Sequence, residues 1–96
     1  MQVDFHPAAT EELEMSAAWY AQRSLDAARG FAIEVDAALK KVQCDPLRFP
    51  HIDHRHQACG IERYPFQIVF RHDGAKIYVV AIAHAKRRPN YWSERT

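Results

Sequence analysis

Long apolar stretches are missing from this sequence. The longest, IYVVAIA at 77–83, falls far short of the roughly 20 residues that a membrane-crossing helix needs. The opening MQVDFHPAATEELE is polar and acidic and lacks the apolar centre of a secretory signal, so the expected compartment is the cytoplasm. Cysteine is scarce: Cys44 and Cys59 stand 15 positions apart, a spacing that matches no paired zinc or redox motif. Reduced structural thiols are expected, not a disulfide. Excess charge is absent as well, and a net charge of +1 excludes a general nucleic-acid coat protein. Without repeats, linkers or low-complexity tracts, the 96 residues read as one domain, 1–96. A core of that size is only marginally stable, so a bound partner would matter to its persistence.

What charge there is lies unevenly. Residues 1–48 hold eight acids against five bases, and residues 49–96 hold four acids against eight bases. Any contact with a polyanion is therefore expected in the second half, and locally. Three cations, Lys86, Arg87 and Arg88, follow His84 and precede Tyr91 and Trp92 in the stretch HAKRRPNYW.

Periodicity predicts the elements. QVDF alternates as a short strand. HPAATEELE opens a helix, with Pro7 in its first turn and Glu11, Glu12 and Glu14 near its positive end. Leu13, Ala17 and Tyr20 mark the inner face of that helix, which ends near Arg23. Ser24 or Asp26 caps a second helix, whose inner face is Phe31, Val35, Ala38, Leu39 and Val42. Gly30 weakens this helix slightly and suggests close approach of the two helices. After the loop DPLRFPHIDHRHQ come three strand-like runs, at 59–64, 66–72 and 76–83. Asp73-Gly74 joins the last two as a hairpin. The last run is apolar on both alternating faces and so is expected to be central. The resulting order is β-α-α-β-β-β, an α+β fold. A helical hairpin covers one face of a small, mainly antiparallel sheet, and the other face stays at least partly open for binding.

These stretches together resemble the RelE/ParE superfamily of toxins from bacterial type II toxin–antitoxin systems. The resemblance runs nearly end to end, through FHPAATEELEMSAAWYAQRS, FAIEVDAALKKVQCDPLRFP and ERYPFQIVFRHDGAKIYVVAIAHAKRRPNYW. It implies a growth-inhibiting toxin neutralised by a cognate antitoxin in a toxin–antitoxin hetero-oligomer, without membrane attachment and without a cofactor. It also implies one of two targets. RelE-like members cut messenger RNA on the ribosome, using basic residues and often a tyrosine. ParE-like members poison DNA gyrase. The near-neutral charge, with its cationic excess confined to the second half, favours the ParE-like action. The alternatives are a ribosome-dependent endoribonuclease and a non-toxic module that only binds an antitoxin.

Cutting RNA through its 2′-OH needs a base, an acid and cations for the phosphate charge. Arg71, His84 and Tyr91 are the candidate catalytic residues for that reading. His84 suits proton transfer, Arg71 suits phosphate clamping, and Tyr91 suits base stacking or phosphate orientation. Arg63, at the end of the first of the three runs, joins Lys86, Arg87 and Arg88 as candidates for phosphate or target binding. Trp19 and Trp92 are candidate antitoxin contacts, although Trp92 equally suits covering the core. His51, Asp53, His54 and His56 are competent metal ligands, but their spacing follows no known metal pattern and no metal site is expected. His6 and His72 read as ordinary loop or strand-end residues.

Overall fold

The computed structural model describes residues 1–96. A short strand, β1 (Gln2–Phe5), leads into helix α1 (Pro7–Ala21). Pro7 occupies the first helical turn, where its missing N–H costs nothing. His6 caps the helix, its Nδ1 accepting the Ala8 N–H at 3.0 Å. Helix α2 (Leu25–Cys44) follows at once, capped by Ser24, whose Oγ accepts the Ala27 N–H at 3.1 Å. A 3-10 turn at Pro46–Arg48 ends the helical region. Three strands complete the chain: β2 (Gln57–Ile61), β3 (Phe66–Asp73) and β4 (Lys76–His84).

The strands form one sheet in the order β1-β4-β3-β2. β1 runs parallel to β4, and the other two pairings are antiparallel. The expected fold and element order are therefore those observed, with the 76–83 run inside the sheet. Gly74 starts the two-residue β3–β4 turn at φ +59°, a conformation that favours glycine. The run expected at 59–64 begins and ends earlier, at 57–61. Beyond it the chain turns through Arg63, which sits at φ +71°. Arg63 is thus a turn residue and not a strand-end residue, because Pro65 interrupts the pairing and forces a tight reversal.

One irregularity sets the geometry of the site. Val69 pairs with Ala81 and Phe70 with Val79, so Val80 is an extra residue in β4. Such a bulge inverts which face each later side chain meets. Ile77, Val79 and Ile82 pack towards the helices, whereas Val80, Ala81 and Ala83 pack on the far face.

The main core lies between the helices and the sheet. Phe31, Val35, Ala38 and Val42 of α2 meet Ile68, Phe70, Ile77, Val79 and Ile82 of the sheet. Their i, i+4, i+7 spacing is what buries one stripe of the helix. Gly30 serves Tyr64 and not the helix pair: a methyl there would run into the Tyr64 hydroxyl. That hydroxyl donates to the Ala27 carbonyl at 2.8 Å. The far face of the sheet is partly covered, because the final segment folds back and buries Trp92 against Val69, Val80, Ala81 and Ala83. Both cysteines are free thiols, Cys44 exposed and Cys59 buried.

Candidate functional site

The C-terminal segment is fastened by a residue from the opposite end of the chain. β1 pairs with β4 only as far as Phe5–Val79. Beyond that point the main chain of β4 would lack partners, and Glu12 of α1 supplies one. Its Oε1 accepts the Ile82 N–H at 3.0 Å. The same carboxylate accepts from Tyr91 Oη at 2.7 Å and from both terminal nitrogens of Arg95, at 3.0 and 2.9 Å. Arg95 also donates to the Val80 carbonyl at 3.0 Å. The pair Glu12–Arg95 therefore takes the place of the strand that β1 is too short to provide.

The electrostatics follow. Burial works to raise the Glu12 carboxyl, but the hydrogen bonds from Arg95, Tyr91 and the Ile82 N–H outweigh it and hold it below its ordinary value. Tyr91 is pushed far above its ordinary value, by burial first and then by donating to Glu12. Its ring is sandwiched by guanidiniums, with Arg87 3.9 Å and Arg95 5.1 Å from its centroid. Neither Glu12 nor Arg95 stood out in the sequence. Glu12 read as one of three acids near a helix start.

The candidate catalytic residues divide between two ends of the sheet. Arg71 pairs with Tyr78 whereas His84 pairs with Phe66, and at about 3.3 Å per residue the two lie roughly 17 Å apart along the strand. The bulge at Val80 also turns His84 towards the helix side, where its ring meets Phe66 edge-on at 4.8 Å. His84 Nδ1 accepts the Lys86 N–H at 3.0 Å. His84, Arg87, Arg88 and Tyr91 do share one recess of about 420 Å³, with Gln67 and Trp92 in its wall. Lys86 lies beside it, on the helix side. Arg71 is elsewhere, stacked over Tyr78 at 4.9 Å.

A second recess, of about 720 Å³, is apolar. Met15, Trp19 and Tyr20 of α1 form one wall, with Pro65, Phe66, His84 and Ala85 opposite. Trp19 is 52% exposed and Met15 65% exposed. Arg23 holds the Trp19 ring from above at 3.7 Å. Trp92, by contrast, is only 3% exposed and packs against the His56 ring at 4.7 Å. Its indole covers the sheet and shows only a small edge in the recess wall, unlike the exposed Trp19. Arg63 is an exposed turn residue, 3.9 Å from Glu34.

The histidine loop splits the same way. His56 is buried, with Nδ1 3.0 Å from Asp53 and Nε2 without a partner. His51 and His54 line a surface cleft instead. No three metal-capable side chains converge anywhere in the chain.

Two comparisons bear on this arrangement. A family model described as the ParE toxin of type II toxin-antitoxin systems, parDE, matches residues 3–89. The chain belongs to this ParE toxin family. Its fold is similar to a chain from the chromosomal ParDE TA system of P. aeruginosa, with a TM-score of 0.76 and 19% identity. That similarity covers 90% of this chain and 97% of the other. Comparison with curated proteins gives no match. No helix is long and apolar enough to cross a membrane.

Proposed function

We propose that this chain is a single-domain growth-inhibiting toxin acting on DNA gyrase, neutralised by a cognate antitoxin that seats an apolar helix in the groove beside Trp19. The observation that carries the non-nuclease reading is the separation of the proton-transfer candidates. Arg71 and His84 lie about 17 Å apart along the sheet, and the Tyr91 hydroxyl is committed to Glu12. A 2′-OH cleavage needs base, acid and cation around one phosphate. Membership of the ParE toxin family supports the same choice. On this reading Arg87 and Arg88 contact the target, and Tyr91 positions Arg87 by stacking.

The antitoxin reading rests on the groove. Large apolar side chains at i and i+4 of α1, Met15 and Trp19, stand exposed opposite Phe66. Exposed aromatic anchors in a concavity are what an amphipathic helix buries. The neighbouring protein in the P. aeruginosa system is a ParDE assembly, which is consistent with such a partner here.

A ribosome-dependent nuclease is the second reading. It is favoured by one observation: His84, Arg87, Arg88 and Tyr91 share a recess. Two assays run together separate the readings. Purified chain is added to gyrase with supercoiled plasmid, and to a translation extract followed by primer extension of the message. Trapped DNA breaks with intact message are expected. Discrete message cuts that vanish in His84→Ala would overturn the gyrase reading. Failure of induction to arrest growth would leave only an antitoxin-binding module.

A further inference from the structure

At the end of the sheet away from His84, a cleft of about 640 Å³ opens between the β3–β4 hairpin and the loop that holds His51 and His54. Arg55, Arg71 and Lys76 line it with fixed positive charge, and His51, His54 and His72 stand among them.

Arg71 forms its wall with a fixed geometry. Stacked on Tyr78, its guanidinium donates from Nη1 to the Arg95 carbonyl at 3.3 Å and from Nη2 to the Thr96 oxygen at 3.0 Å. Two acceptor oxygens thus already sit on the fork in the manner of a phosphate's oxygens. Three of its five N–H donors remain for an incoming anion. Carboxylates offset part of this charge: Asp4 pairs with Lys76 at 3.1 Å, and Asp73 lines the cleft. Asp53 is tied to His56. Arg55 and the open edge of Arg71 are the cations left for a ligand.

We propose that this cleft is a second anion site, separate from the Lys86–Arg88 cluster, which takes the phosphates of a nucleic-acid backbone. The choice of ligand follows from the lining. Protein interfaces have apolar centres, and the Trp19 groove has one. Protein–nucleic acid contacts are polar and strongly positive, and here Tyr78 is the sole hydrophobic lining residue. The site needs no gyrase or antitoxin assignment and stands apart from both.

The test is fluorescence anisotropy of a short labelled oligonucleotide with the full chain, with pyrophosphate and a poly-glutamate peptide as competitors. Binding is expected at low salt and is expected to weaken as salt is raised. The exposed pair His54→Ala/Arg55→Ala is expected to weaken it about tenfold or more and to reduce the salt slope by about 1. Arg29→Ala, on the outer face of α2, leaves it unchanged. Displacement of the oligonucleotide by pyrophosphate supports the phosphate assignment. Binding of pyrophosphate but not of oligonucleotide overturns the backbone assignment. Equal binding by the double variant, or stronger binding of poly-glutamate, overturns the site.

Discussion

The two helices lie side by side on one sheet yet are built for different purposes. α2 turns Phe31, Val35 and Val42 into the core and leaves Leu25 and Ile33, towards its start, in solvent. α1 buries only Ala9 fully and leaves Met15 and Trp19 in solvent. Its decisive inward residue is charged, since Glu12 reaches across to β4 and the C-terminal segment. α2 therefore holds the fold together, while α1 fixes the tail from one side and offers a docking wall on the other.

That contrast is open to direct attack. Phe31→Ala, which empties the ring position beneath Tyr20, Tyr64 and Phe66, is expected to cost about 3–5 kcal/mol. A urea titration checks it, and a loss under about 1 kcal/mol would contradict the division of labour. Glu12→Ala is expected to cost about 2–3 kcal/mol, because it strands the Ile82 N–H, the Tyr91 hydroxyl and the Arg95 charge together. Hydrogen exchange at the Ile82 amide should rise with it, whereas amides in the middle of α2 should follow only the global loss.

Titration sharpens the same point. A carboxyl held below its ordinary value of 4.5 in the fold contributes stability that is fully present above that pH. The contribution is lost as pH falls through the lower folded value. Thermal melts across the acid range should therefore show a limb that flattens in Glu12→Gln. An unchanged limb would mean that the carboxylate is not ionised where it sits.

Gly30→Ala would normally gain helix propensity, by up to about 1 kcal/mol. Here it is expected to lose about 1 kcal/mol through the Tyr64 hydroxyl, and Tyr64→Phe in the same chain should recover part of it. Trp19→Ala is expected to change stability least, within about 0.5 kcal/mol. It should nevertheless weaken antitoxin binding by about 30-fold or more, as an exposed aromatic anchor does. Isothermal titration with the antitoxin decides this, and unchanged affinity would remove the groove as its seat.

Much of this was legible in the residues. The inner face of α2, the Pro7 start and the Asp73-Gly74 turn follow from local rules that tertiary packing did not override. The bulge did not, because every residue from Ile77 to Ala83 is apolar and no alternation existed to break at Val80. His84 consequently read as part of an open-face kit with Arg71, when one extra residue had turned it away. Glu12 was hidden for a related reason. An acid near a helix start already has a sufficient explanation, and its partners lie about seventy positions downstream. Gly30 carried a signal of close approach, but the neighbour it admits is a tyrosine from a distant turn.

The parallel pairing of β1 with β4 has a kinetic consequence. It joins Gln2 to Lys76 and Phe5 to Val79, so this ladder forms only after a loop of nearly the whole chain has closed. The entropy of such closure precedes any reward from the contacts, and non-local topologies fold slowly for that reason. The helical hairpin and the β3–β4 hairpin are local and need not wait. Until β4 arrives, β1 has no neighbour and Glu12 faces no amide. The Glu12 clamp on the C-terminal segment thus waits on the slowest pairing in the sheet, while Trp92 needs only the local β3–β4 hairpin to pack on.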